Sequence, residues 1–329
     1  MVSANPEDFQ TLVRRGLALE QQGRSDEAIA AYEAAINANP GHAQPFSRRA
    51  VLAFRRHFGP PPTPVARQAG LPRLTMSTLG ANGRFGNQLL QYGFLRMYAA
   101  EHGLALEAPD WIGRDLYDFD DPLPGGSLPV VSEGDRDLVA SLNREVPQVH
   151  ADADFWGYCC YPTGRLRRHR RLFQDLFRPG RRVAQLVEPA AQALRQRGDS
   201  VVAIHLRRGD FGYGRFWMAP GAWYGAWLDA VWPTLNHPVL YVASDDSGAA
   251  AELARYQPLT AADFDVAIPG AEFYLDFHLL TLADSLAISN SSFSFVAAML
   301  NERARAFMRP DRDRCELVAF DPWDSPVLT

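Results

Sequence analysis

Apolar positions recur along this chain with two different periods, and the change of period divides it. Between residues 9 and 56 they fall at helical spacing, with Leu12, Gly16 and Leu19 on one stretch and Ala28, Tyr32 and Ala35 on the next. This predicts a helix near 6–22, a turn at 23–26, a second helix over 27–37 and a third over 44–56. After residue 72 the pattern becomes one of short apolar runs, many of them β-branched, separated by helical stretches. Strands are expected at 73–79, 104–108, 201–205, 239–243, 285–289 and 315–320, with a weaker one at 265–268. Alternation of this kind builds an α/β fold on parallel strands.

The helical stretch has the register of a tetratricopeptide repeat, which runs for about 34 residues. Counted back from Pro40 as its closing proline, Gly16, Ala28, Tyr32 and Ala35 take the small and aromatic packing positions. The third helix opens a second repeat that Gly59 and Pro60 to Pro62 cut short. One and a half repeats do not bury a continuous core alone. The arm is therefore expected to dock on the main domain, on a second copy of the chain or on a protein partner, unless it is a hairpin that only pads the main domain. Five prolines between 59 and 72 make a stiff linker. The expected organisation is an arm at 1–58, the linker at 59–72, and two Rossmann-like domains at 73–190 and 191–329.

Composition narrows the function classes. A content of 47% hydrophobic and 22% charged residues is that of a globular protein. A net charge of -5 lacks the basic surplus that phosphate-backbone binding calls for, so nucleic acid is not an expected partner. No apolar run reaches the ~18–20 residues of a membrane span. MVSANPEDFQ has neither the basic start nor the apolar core of a signal peptide, and the expected location is the cytoplasm. Cys159, Cys160 and Cys315 have no disulfide or metal spacing. Asp118, Asp120 and Asp121 offer the clustered carboxylates that hard cations prefer. The neighbouring Pro122, Pro124, Gly125 and Gly126 make a solvated loop the better reading, and neither metal nor cofactor is expected.

Candidate chemistry collects where apolar strands give out. VVAIHLRRGD at 201–210 ends a strand in His205, Arg207, Arg208 and Asp210. The carboxyl ends of strands line the ligand crevice of an open α/β sheet, and a guanidinium donates two parallel hydrogen bonds to one phosphate or carboxylate. The competing use of these arginines is an ion pair with Asp210 that caps the strand. The strand at 239–243 runs into Ser244, Asp245 and Asp246. The one at 285–289 runs into SNSSFS, with Ser291 and Ser292 before a helix over 295–303. Hydroxyls and free N–H groups at a helix start bind anions, although serine is also the commonest cap there. Glycines at 80, 83 and 86 form a turn ahead of another helix, with Asn87 and Gln88 placed to bond a phosphate or sugar. Arginines, paired aspartates and a serine turn at one crevice make a nucleotide pattern. The eight arginines of 164–182 are expected on a helix, mostly solvated, with a few offsetting substrate charge.

Four stretches in order resemble the GDP-fucose-dependent fucosyltransferases, the group of α1,2, α1,6 and protein O-fucosyl enzymes. They are GRFGNQLLQYGF at 83–94, HLRRGD at 205–210, YVASDD at 241–246 and DFHLLTLADSLAISNSSFSF at 276–295. WGYCCYPTGRLRRHRRLF at 156–173 is similar to the α1,2 branch. The resemblance covers residues 74 to 320, roughly, and leaves out the arm. It implies a GT-B fold of two Rossmann-like domains facing a cleft. It further implies metal-independent, inverting transfer of fucose from GDP-fucose to a hydroxyl of a glycan or glycoconjugate.

Carried over by residue, the resemblance implies that His205 and Asp276 contact guanine or ribose and that Arg207 binds the β-phosphate. Arg208 would support it, with Ser291, Ser292 and Phe293 completing the diphosphate site. Asp245 and Asp246 would hold the nucleotide side and orient the arginine, and Gly86, Asn87 and Gln88 would lie on the facing wall. Two positions depart from the pattern. The glutamate base of the α1,6 branch is replaced by Arg215, which leaves Asp210 as the candidate base. Two tryptophans usual after the serine turn of α1,2 enzymes are Phe295 and Val296, which bears on the acceptor. The alternatives are another GDP-sugar, a protein acceptor, or an inactive nucleotide-sugar-binding scaffold whose arm recruits a partner or a second copy. A cytoplasmic transferase with such an arm suits bacterial surface-polysaccharide or flagellin modification.

Overall fold

The computed structural model describes residues 8–214 and 216–329; the expected helix start near residue 6 and the position of Arg215 lie outside them. The chain forms two compact units. Among the described residues, one comprises 8–136, His150–Tyr158 and Pro269–Ala271, the other Asp137–Val149, Cys159–Ile268 and Glu272–Thr329. The arm thus belongs with the first unit, and the long second segment begins at Cys159, where the sequence suggested a change near 190.

In the first unit, α1 (Phe9–Gln21), α2 (Ser25–Ala38) and α3 (Ala43–Phe58) form the arm. Asp8 caps α1 by accepting the Thr11 N–H at 2.7 Å. Gly16 is there for space, since a Cβ on it would enter the Tyr32 ring. Tyr32 is fully buried and donates its hydroxyl to Glu20 at 2.8 Å. The third helix docks on its own unit. Arg55 pairs with Asp110 at 2.5 Å and with the buried Asp115 at 2.9 Å, and Ser47 accepts the Gln88 amide at 2.8 Å.

Strands β1 (Arg73–Thr75), β2 (Ala105–Glu107), β3 (Val130–Ser132) and β4 (Ala153–Trp156) form a parallel sheet in the order β2-β1-β4-β3, with α4 (Phe85–His102) joining the first two and α5 (Ile112–Tyr117) following β2. The first strand is shorter than expected because the chain turns at once, Leu79 N–H donating to Met76 and Ala81 N–H to Thr78. Gly80 and Gly83 take φ of 83° and 80° in that turn, a region that favours glycine. Asp118 and Asp120 are exposed as a loop reading requires, but Asp121 is buried, paired with Arg96 at 2.6 Å and accepting the Tyr92 hydroxyl.

The second unit holds α6 (Leu138–Leu142), α7 (Arg170–Leu176), α8 (Arg181–Gln196) and then β5 (Ser200–Leu206), α9 (Gly221–Val231), β6 (Pro238–Ser244), α10 (Tyr274–Leu280), β7 (Ser285–Ala287), α11 (Ser292–Leu300), β8 (Ala306–Asp311) and β9 (Glu316–Ala319). Its sheet runs β6-β5-β7-β8-β9, parallel except for the last strand. Val202, Ile204, Leu206, Leu228, Leu240 and Val242 fill its core. Residues 265–268 are not a strand; Leu259 bridges Tyr241 instead. The arginine-rich stretch is broken into a 3-10 turn (Thr163–His169), α7 and the start of α8. Its arginines pair with carboxylates, Arg165 with Asp137 and Glu145, Arg167 with Asp321, and Arg171 and Arg178 with Asp175. No helix among the described residues is long and apolar enough to cross a membrane.

Candidate functional site

The chain order of the second sheet reverses at β5, with β6 on one side and β7 on the other. Connections leave such a strand in opposite directions, so a gap opens beyond its carboxyl end, where open α/β sheets bind ligands. The apolar run Val201 to Ile204 buries β5, and the polar residues begin at the gap. Two bonds draw the neighbouring strand ends together there. His205 Nδ1 lies 2.7 Å from Ser289 Oγ, tying β5 to the loop after β7. Arg207 Nη1 lies 3.0 Å from Asp245, tying it to the loop after β6.

The two arginines have different settings. Arg207 pairs with Asp245 and, through Nη2, with Asp210, and its guanidinium lies 5.0 Å over the Phe211 ring. Its Nε–H is buried and meets no acceptor among the described residues. Arg208 is committed elsewhere. Its Nε and Nη2 donate to Glu252 at 3.1 and 2.8 Å, and its Nη1 to the carbonyls of Ala219 and Arg207 at 3.1 and 3.3 Å. Its backbone N–H donates to Asp245 at 2.7 Å, so that carboxylate is fixed at two points. Glycines make room for both acids. A Cβ at Gly209 would enter the Asp245 carboxylate, and one at Gly221 the Glu252 carboxylate.

His205 is buried, and its ring meets that of Phe293 at 5.2 Å in a tilted contact. Burial, reinforced by Arg207 and Arg208, pushes its imidazole down to about 3, which keeps it neutral at physiological pH. Asp276, on α10, is half-buried and accepts the Tyr241 hydroxyl; loss of hydration raises its carboxyl to about 6 although that hydrogen bond pulls the other way. Ser291 is the cap of α11 and accepts the Phe293 N–H at 3.3 Å. Ser292 and Phe293 are half-buried in the first turn of this helix, which starts three residues earlier than 295.

Asp246 is exposed and accepts the Gly248 N–H at 2.8 Å, turning the loop, and of the two adjacent aspartates it is Asp245 that meets Arg207. Gly86, Asn87 and Gln88 belong to the first turn of α4 in the other unit, where Gln88 donates to Ser47 and to the Gly83 carbonyl. Glu252, Tyr241 and Ser289 are bonded to predicted residues and were not singled out from sequence. Ser289 stood within a quoted motif, whereas Glu252 lies 44 positions from its arginine with no local signal. Among the described residues no three His, Cys, Asp or Glu side chains form a metal-binding group.

Residues 9–42 match the tetratricopeptide repeat family, in the register read from the sequence. No curated protein matches the chain. Among solved structures, it is similar to the NodZ alpha-1,6-fucosyltransferase co-crystallised with GDP, at 13% identity and a TM-score of 0.49 over 77% of this chain and 99% of that one. It is also similar to fucosyltransferase NodZ from Bradyrhizobium, at 12% and 0.48 over 77% and 100%. A FUT1 variant from Arabidopsis thaliana in complex with GDP gives 16% and 0.49 over 74% and 72%. These are remote likenesses.

Proposed function

We propose that the second unit binds GDP-fucose and that the chain transfers its fucose, with inversion and without a metal, to a hydroxyl of a glycan or glycoconjugate, in the manner of the α1,2 enzymes. The observation that carries this reading is the setting of Arg207: a guanidinium at the reversal point of a parallel sheet, held by Asp245, on a strand whose end is tied through His205 to Ser289 in the loop that opens a serine-capped helix. As the bond from fucose to GDP lengthens, the β-phosphate gains negative charge and the sugar gains oxocarbenium character. A guanidinium fixed in advance stabilises that state more than the ground state. The helix start adds N–H donors with the favourable end of its dipole.

Asp245 is anchored by the Arg208 backbone as well as by Arg207, whereas Asp210 competes with an arriving diphosphate for the same guanidinium. Donor binding thereby turns the Asp210 carboxylate from the arginine toward an acceptor hydroxyl, the role of base. Neutral His205 and ionised Asp276 take guanine or ribose.

The test is direct. GDP and GDP-fucose are expected to raise the thermal transition of the full chain, and GDP is expected to be released from GDP-fucose at an unchanged rate in excess chelator. Absence of a shift with GDP contradicts the reading and favours a scaffold. A strict requirement for Mn²⁺ or Mg²⁺ contradicts its metal-independent part.

A further inference from the structure

We propose that the tight hairpin following the arginine pair is a platform for one pyranose ring of the acceptor, an inference that rests on the reading above and names the substrate class of the same site. Residues 211–218 read FGYGRFWM. Gly212 and Gly214 take φ of 127° and 53° there, and Gly212 N–H and Tyr213 N–H both donate to the Phe216 carbonyl, at 2.6 and 3.3 Å, while Phe216 N–H donates back to Tyr213 at 2.8 Å. The closure sets rings side by side. Phe211 and Phe216 lie 5.3 Å apart, and Tyr213 meets Phe216 edge-on at 5.8 Å. Yet Tyr213 is 65%, Phe216 36% and Met218 43% exposed. Large apolar side chains set side by side and held in water make a surface built to be covered.

Its position indicates what covers it. The Arg207 guanidinium lies over Phe211, Phe211 packs on Phe216, and Phe216 on Tyr213, so three ring contacts lead from the proposed phosphate group to the platform. Trp217 Nε1 at the hairpin's base and Asn290 Nδ2 in the serine turn both donate to the Thr329 carbonyl, at 3.2 and 2.8 Å, which ties the two loops together. In transfer the acceptor ring must reach the anomeric carbon, one bond from the β-phosphate oxygen, so it has to lie beside Arg207. A pyranose has a face of C–H groups that covers one aromatic ring and hydroxyls at its rim that stay wet, which suits an amphipathic Tyr213 at the edge. A protein partner is a poorer fit, because specific protein interfaces take about 800 Å² from each side and three side chains on one hairpin do not supply it.

Saturation-transfer NMR on the full chain with GDP present tests this, using methyl β-galactoside, methyl β-glucoside and methyl α-mannoside as probes. Pyranose C–H signals are expected from at least one probe with the wild-type and Tyr213→Phe proteins. The double variant Tyr213→Ala, Phe216→Ala is expected to lower them by about fivefold or more, with the Kd for GDP held within about twofold. No signal from any probe, or an equal signal from the double variant, overturns the platform. The GDP titration separates this result from the reading beneath it. A wild-type protein that fails to bind GDP but shows Tyr213-dependent contact with a pyranoside keeps the platform and removes the nucleotide donor.

Discussion

Replacing Arg207 with alanine is expected to lower the turnover of GDP-fucose by on the order of 10²–10³, the range for removing one preplaced donor to a developing anion. The loss is expected at the upper end, because Asp210 and Asp245 would remain as two carboxylates facing the diphosphate with their cation gone. Arg208 cannot take over, since Glu252 and the carbonyls of Arg207 and Ala219 occupy its donors. Arg207→Lys is expected to restore little. A lysine delivers a point charge in place of a planar fork, and it has no Nε–H flanked by two further donors. Steady-state GDP release across the three proteins checks this, and near wild-type turnover by Arg207→Ala removes the arginine from the mechanism.

Binding of GDP is expected to weaken as the pH falls below about 6, the value to which loss of hydration raises the Asp276 carboxyl. The base or ribose of GDP brings N–H or O–H donors, so the acceptor form of Asp276 is the ionised one. Each pH unit below its titration point then lowers affinity by up to about tenfold. Stability runs the other way. A carboxyl whose folded value lies above its unfolded value of 3.8 stabilises the fold fully below that unfolded value, and this contribution is lost as pH rises through about 6. The shift corresponds to on the order of 2–3 kcal/mol. Asp276→Asn is therefore expected to flatten the pH profile of GDP affinity and to raise the thermal transition near pH 8. Calorimetric titration of GDP from pH 4.5 to 8 decides the matter, and a flat wild-type profile takes Asp276 out of the nucleotide site.

Legibility followed the range of the interactions involved. Periodicity carried the arm, because Gly16 and Tyr32 report a contact that recurs in every copy of the repeat. The buried run Val201 to Ile204 and its abrupt charged end mark β5 and its arginines in the sequence itself. β8 was missed because Arg309 and Pro310 interrupt its apolar run, and Arg309 is nonetheless buried there against Phe295 and Phe320. The stretch 265–268 looked like a strand from composition alone, but the edge of β6 is met by Leu259. Within the site, residue types were legible and partners were not. Nothing local says that Asp245 rather than Asp246 meets Arg207, or that Glu252 removes Arg208 from the gap, since both outcomes are set by loop geometry after the sheet has formed.

A crystal structure of the full chain with GDP measures the central claim most directly. The account predicts a β-phosphate oxygen within about 3 Å of an Arg207 nitrogen and of an N–H group in the first turn of α11. GDP phosphates seated elsewhere, with Arg207 still paired to Asp210 and Asp245, would contradict it.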